Sequence, residues 1–484
     1  MGHPVALFCP PDSLFHTATG TAFADILIEG HRETWPIRSR QFRYWLRRRF
    51  YERSGAAASA DAIRSIVDLL EARAQFDGPE RTVHIRVAEQ TGRIYLDLAD
   101  KHWRAVEIGP NGWRVMTSPP VRFRRATGML PIPIPQRGGC IDSLARLLNL
   151  PGTNEFVLIV SWLLAALRPI GPYPLLAIVG EQGSSKTVLT KMLRALIDPN
   201  VASARALPRE ERDLMIAANN GHVLAFDNLS GLPVWLSDAL CRLSNGGSFA
   251  VRQLYTNEDE ILFHAARPAI LNGIEDVIYR PDLADRAISL ILESLTNERR
   301  RPEQELWREF ELARPCLLGA LLDAVAHGLR TMPILCVREL PRMADFAVWM
   351  TACEAALWPS GTALRAYDAN RRTAIEEVID ADPVAAFIRE MMSERTTWAG
   401  SASDLLRASF NRKGVSNLSA GWPRHPRGLG SRLRRCQAFL RIIGIEISFA
   451  REGRAGSRII RMSSLKRSRY TMTAVDATNG WCRA

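Results

Sequence analysis

Leu175–Leu193, LLAIVGEQGSSKTVLTKML, decides the fold of this chain. An apolar, β-prone run, Leu175 to Val179, ends at the glycine-rich turn Gly180, Glu181, Gln182, Gly183, Ser184, Ser185. Lys186 and Thr187 follow, then a helical pattern carrying Val188, Leu189, Met192 and Leu193. Strand, phosphate loop and helix in this order form a P-loop. Gly180 and Gly183 let the backbone turn so that successive N–H groups and the helix start face one anion. Lys186 supplies a point charge for the β and γ phosphates, and the Thr187 hydroxyl can ligate Mg²⁺. The residue before the lysine is Ser185 rather than glycine. Its Cβ leads us to expect a loop that avoids a strongly left-handed backbone there. The first expectation is a site for ATP or GTP with Mg²⁺.

The whole chain sets bounds around that loop. At 484 residues it exceeds one compact core. The formal charge of +12 favours a polyanionic partner such as DNA. Eight scattered cysteines, with no C-x-x-C and no paired histidine spacing, argue against a zinc site and for a reducing compartment. The longest apolar stretch, Phe156–Leu167, is short for a bilayer span. The expectation is a cytoplasmic protein that does not enter membranes.

Downstream, His222–Phe226 reads as an apolar strand ending at Asp227-Asn228. Alone, an aspartate there is a turn or cap residue; below a P-loop it fits a Mg²⁺ ligand of the Walker B kind. Ser248–Leu254 and Ile261–Ala265 read as a hairpin, and Pro268–Leu271 as a further buried strand ending at Asn272. Ala287–Leu292 follows Arg286 as another strand, which gives an α/β chain with a parallel sheet.

The ordered set GEQGSSKT, AFDN, the hairpin with Arg252 and Tyr255, PAILN and DRAISL resembles an AAA+-type P-loop ATPase core. It is similar in particular to the helicase modules of phage and plasmid primase-helicases, related to superfamily III, and to uncharacterised prophage-type bacterial ATP-binding proteins. The resemblance covers roughly residues 140–380. It implies a homo-oligomeric ring, for instance a hexamer, in which a neighbouring subunit completes each site. The sequence shows no evident primase catalytic set, so a separate primase is an expected partner. On the basis of the resemblance, Lys186 and Thr187 match the P-loop, Asp227 the Walker B acid, Asn272 the sensor asparagine, and Arg286 the arginine finger, with Arg280 as runner-up. An internal ion pair of Arg286 with Asp282 or Asp285 is an equal reading. The hairpin at Ser248–His264 matches a DNA-contacting position. Such ATPases carry a second acid where this chain has Asn228, which can bond to water but cannot take its proton. Either Glu181, Glu210 or Glu211 supplies the carboxylate, or nucleotide acts as a switch.

The flanks complete the plan. Residues 1–130 read as an α+β domain whose QFRYWLRRRFYER helix is either a solvated basic face or a strip along a phosphate backbone. Alternating prolines in Met129–Gly139 mark an extended boundary. The ATPase core occupies 140–297 and a helical lid 298–381, with Arg342 a candidate sensor arginine or an ordinary surface residue. Residues 382–463 read as a winged-helix-like DNA-binding domain with Arg432, Arg434 and Arg435 on its recognition helix and Arg454 in its wing. Residues 464–484 read as a flexible tail. Two functions remain open: a DNA-dependent ATPase of the helicase or translocase kind in mobile-element replication, or a nucleotide-gated DNA-binding switch, loader or regulator. A small-molecule kinase fits the basic C-terminal region poorly.

Overall fold

The computed structural model describes residues 10–252, 260–274, 278, 280–337, 340–413, 422–452 and 457–464. The chain divides into two compact units, Met1–Arg371 and Arg372–Ala484.

The first unit opens with an antiparallel sheet of β1 (Leu14–His16), β2 (Ala22–Ile28) and β3 (His31–Pro36). Helices α1 (Arg40–Ser54) and α2 (Ala60–Phe76) bury Phe42, Leu46, Ile63, Val67 and Leu70 against it. The sequence pattern hides this sheet, because β3 buries polar residues that find polar partners within the sheet. His31 lies 3.0 Å from Glu33, and Thr34 donates to Asp25 at 2.7 Å. Next come β4 (Val83–His84), the first three strands of a meander, β5 (Val87–Gln90), β6 (Arg93–Asp97) and β7 (Ala105–Gly109), then its last strand β8 (Gly112–Met116), and β9 (Arg122–Phe123), which pairs in parallel with β4.

The proline-rich segment after β9 is extended and bound along its length. Leu130 N–H donates to Pro199, Ile132 N–H to Leu98, and Gln136 N–H to Pro315, each at 2.9 Å. Beyond it lie α3 (Asp142–Ala145), α4 (Thr153–Ala166) and β10 (Leu175–Gly180), followed by α5 (Lys186–Ile197), α6 (Glu211–Asn220), β11 (Leu224–Leu229) and α7 (Val234–Asn245). The hairpin β12 (Gly247–Arg252) and β13 (Glu260–Ala265) precedes β14 (Ala269–Gly273), α8 (Pro281–Ala284) and β15 (Ala287–Leu292). Strands β11, β14, β10 and β15 form one parallel sheet in that order, made of buried aliphatic residues as a doubly covered sheet requires. One continuous core joins the meander (Val87, Leu96, Ile108, Trp113) to α4, α5 and the 29-residue α9 (Glu303–Thr331). By length and composition alone α9 could cross a bilayer, yet 61% of its apolar window is buried inside the protein. Helix α10 (Ala344–Glu354) follows, and α11 (Thr362–Ala381) runs across the division between units.

The second unit holds α12 (Pro383–Ser393), β16 (Thr397–Gly400), α13 (Ala402–Lys413), α14 (Pro426–Ile442), β17 (Ile445–Glu452) and β18 (Ser457–Ser464). Strand β18 lies between β16 and β17 in an antiparallel sheet. Its own core gathers Phe387, Ile388, Leu405, Leu433, Phe439, Leu440 and Ile447. Strand β16, short and half exposed, was not legible as an element; it converts the expected terminal hairpin into three strands.

Candidate nucleotide-binding site

The glycine-rich loop leaves the C-terminal end of β10, whose residues pair with β14 on one side and β15 on the other. A side chain at Gly180 would meet the Leu292 carbonyl at 2.4 Å, so this turn admits only glycine. Gly183 is left-handed at φ +87°, and so is Ser185, at φ +65° and ψ +21°. The expectation for Ser185 is thus overturned: the loop takes the backbone that a glycine would, at about 1–2 kcal/mol of local strain. Its position is fixed from outside. Asn149 donates to the Ser184 and Glu293 carbonyls at 3.2 and 2.8 Å, and Ser294 donates to Glu181 at 2.8 Å. Gln182 lies exposed at the loop's tip.

Four side chains converge here. Lys186 Nζ folds back onto the Gly180 and Glu181 carbonyls at 2.6 and 2.7 Å and onto Ser184 Oγ at 3.2 Å. Burial lowers the pKa of this ammonium, and the Asp227 charge opposes the shift. Thr187 Oγ1 donates to Asp227 Oδ1 at 3.3 Å, and Asn272 Nδ2 approaches Thr187 Oγ1 at 3.5 Å. Asp227 and Asn228 lie within β11 rather than beyond it. The register with β14 shifts between Phe226 and Leu229, and Asn228 takes φ +60°. This bulge aims the Asp227 carboxylate at Thr187, and the Asn228 N–H donates to that carboxylate at 2.8 Å.

Beside them lies a cleft of about 490 Å³, lined by Thr187, Lys191, Arg205, Asp227, Asn228 and Ser230 among others. Among the described residues Asp227 is the one carboxylate lining it. Glu211 is paired with Arg242 at 2.5 Å, Glu181 accepts from Ser294, and Glu210 is exposed before α6; none of the three lines the cleft. The donor set suits Mg²⁺ and phosphate: one hydroxyl, one carboxylate, an ammonium bound to loop oxygens, and a glycine at 180 where a Cβ would block the turn.

Two arginines at this place escaped the sequence. Arg300 is exposed, with Nη2 3.6 Å from where a Gly183 Cβ would stand. The NERRR run after the last core strand was the available signal. Arg205 reaches the cleft because its backbone bridges Phe226 on the free side of β11, a single pairing without sequence signature.

Other expected residues are not gathered here. Arg286 stands at the N-terminal end of β15, the edge opposite the phosphate loop, where its carbonyl accepts from Leu175 at 2.9 Å. Its guanidinium donates to the Asp282 carbonyl at 2.7 Å and lies 3.7 Å from that carboxylate. Arg280 pairs with Asp238 at 2.5 Å. Arg342, read as a candidate sensor, instead bridges Asp285 and Asp282 at 3.1 and 3.3 Å on the same far edge. In the second unit Arg432 is tied to Asp382 at 3.0 Å, Arg434 lies over the Phe449 ring at 4.6 Å, and Arg435 is exposed. Tyr255 and Arg454 lie outside the described residues, as does the side chain of Arg252.

Residues 141–381 match the family model of the actinomycete integrative conjugative element replication protein, and residues 384–475 match the AICE RepA C-terminal domain. No curated protein matches this chain. Similar solved structures include the apo C-terminal region of NrS-1, at 12% identity over 93% of this chain and 95% of that one, with a TM-score of 0.43. The JCV helicase is similar at 13% identity over 48% of this chain and 64% of that one, with a TM-score of 0.27. At these scores neither likeness carries an argument about this chain.

Proposed function

For a chain that belongs to the replication-protein family of actinomycete integrative conjugative elements, two of whose models together span more than two thirds of it, we propose an ATP-dependent, helicase- or translocase-like role on DNA. The convergence of Lys186, Thr187, Asp227 and Asn272 at the end of a parallel sheet carries this reading. Backbone N–H groups between Gly180 and Thr187 cradle the phosphates, and Lys186 exchanges loop carbonyls for phosphate oxygens. Thr187 and Asp227 hold Mg²⁺, and Asn272 orients the attacking water. Bound Mg·ATP supplies the phosphoanhydride whose cleavage releases the energy. Arg286 or Arg280 reaches the site of the next subunit in a ring. The hairpin with Arg252 and Tyr255, the α14 face with Arg434 and Arg435, and Arg454 contact DNA, as the winged-helix reading of the C-terminal unit implies. The setting is the reducing cytoplasm, with a primase supplied separately.

ATP turnover should depend on Lys186 and rise with single-stranded DNA. Turnover that is intact in Lys186→Ala, or DNA binding without stimulation, counts against a translocase.

A nucleotide-gated switch is the second reading, favoured by one observation: Asp227 is the one carboxylate among the described residues of the cleft, and Asn228 stands where a second acid is expected. A parent that binds but barely hydrolyses ATP, with Asn228→Glu raising turnover sharply, selects the switch.

A further inference from the structure

Helix α1 is held by its apolar side and presents an unusual opposite side. Ser39 caps it by accepting from the Phe42 N–H, Gly55 ends it at φ +69°, and Phe42 and Leu46 anchor it in the core. Arg40, Tyr44, Arg47 and Tyr51 follow at i, i+4, i+7 and i+11, which confines them to about 60° of the helix surface. Arg43 and Arg48 flank them, and all six are exposed. Tyr44 is 50% and Tyr51 61% accessible, an open position for two large aromatic rings. The only acid on the helix, Glu52, is taken up by Arg48 at 2.8 Å and Arg49 at 3.2 Å. Arg40, Arg43 and Arg47 form no ion pair with any described residue. Arg40 instead donates to the Tyr44 hydroxyl at 2.5 Å, with its guanidinium 5.1 Å from the centre of that ring.

We propose that this face of α1 is a binding site for single-stranded nucleic acid, separate from the nucleotide cleft and from the C-terminal unit. A purely solvating face needs charge but no rings, whereas a strand offers both phosphates and flat bases. The guanidinium groups meet the phosphates, and Tyr44 and Tyr51, about 10 Å apart along the axis, receive unpaired bases. A duplex hides its base faces and leaves the tyrosines without a role. An anionic membrane would call for aliphatic residues to insert, and the exposed large apolar side chains of this helix are the two tyrosines alone.

The test uses the full-length protein without nucleotide and a fluorescent oligothymidylate containing 5-iododeoxyuridine. Light should attach the oligonucleotide to Tyr44 or Tyr51. Tyr44→Ala with Tyr51→Ala should weaken binding by roughly ten-fold or more, and the Phe pair should restore it. Arg40→Gln, Arg43→Gln and Arg47→Gln together should lower the slope of log K against log salt by about 2. ATP turnover without DNA should stay at the parental level in all variants, which separates this site from the nucleotide site. Adducts confined to other segments, unchanged affinity in a folded Tyr→Ala pair, or equal binding of duplex overturns the proposal. So does loss of binding to phosphatidylserine vesicles in the Arg variant while its oligothymidylate affinity is unchanged.

Discussion

Ser185 carries the sharpest prediction at the scale of one residue. Its left-handed backbone costs a Cβ-bearing residue about 1–2 kcal/mol, partly offset in a glycine by the entropy of the unfolded chain. Ser185→Gly should therefore stabilise the protein by about 0.5–1 kcal/mol, read as a higher urea midpoint; a lower midpoint would mean the strain is absent. Arg300 answers to a different readout. Its guanidinium stands by the loop with no described ion pair, so Arg300→Ala should weaken ATP binding about ten-fold while leaving the melting temperature in place. The legibility of the two differs for a physical reason. Lys186, Thr187 and Asp227 announce themselves because strand, loop and hydroxyl or carboxylate are contiguous in sequence. Arg300 and Asn149 reach the loop from segments folded back upon it, and no local pattern encodes that return.

Among elements, α9 and α14 make a controlled pair. A Cβ at Gly319 of α9 would lie 1.8 Å from the Gln136 carbonyl, whereas one at Gly430 of α14 would meet nothing within 4 Å. Alanine is the better helix former by about 1 kcal/mol at either place. Gly430→Ala should gain that amount, and Gly319→Ala should lose 2 kcal/mol or more through the clash. Opposite signs in urea unfolding would establish the close approach of α9 to the proline-rich segment. Helical elements were largely legible, since apolar spacing and caps are local. Strands β1–β3 were not, because alternation is masked when His31 and Glu33 are buried as a bonded pair and Thr34 is buried against Asp25.

On the scale of the molecule, buried titratable groups set the response to acid. His222 is fully enclosed, with Nε2 2.6 Å from the Ala166 carbonyl, and burial together with Arg267 pushes its pKa down to about 4. Burial, again with Arg267, brings His84 to about 4 as well. The unfolded chain binds these protons near pH 6.5 and the native one does not. Stability contributed by the two histidines is therefore full above pH 6.5 and falls as pH drops toward 4, by about 1.4 kcal/mol per unit for each. His222→Gln should flatten that part of the curve measured by urea unfolding at successive pH values. The parallel sheet itself was legible as a repeating strand–helix series. The union of the N-terminal meander with the parallel-sheet core was not, because it rests on pairs such as Trp113 Nε1 to Asp323 at 2.8 Å and Arg86 to Asp198 at 2.9 Å, far apart in sequence.

That shared core has a consequence in time. Ile94, Leu96, Val106 and Ile108 leave the ribosome long before Leu317, Leu321 and Val325, which complete their cluster. At ordinary translation rates the interval is roughly 10–40 s. Throughout it the nascent meander carries a greasy face with no permanent cover. Newly made chains should accordingly lean on holding chaperones, and synthesis slowed between the meander and α9 should lower the soluble yield more than slowing after α9.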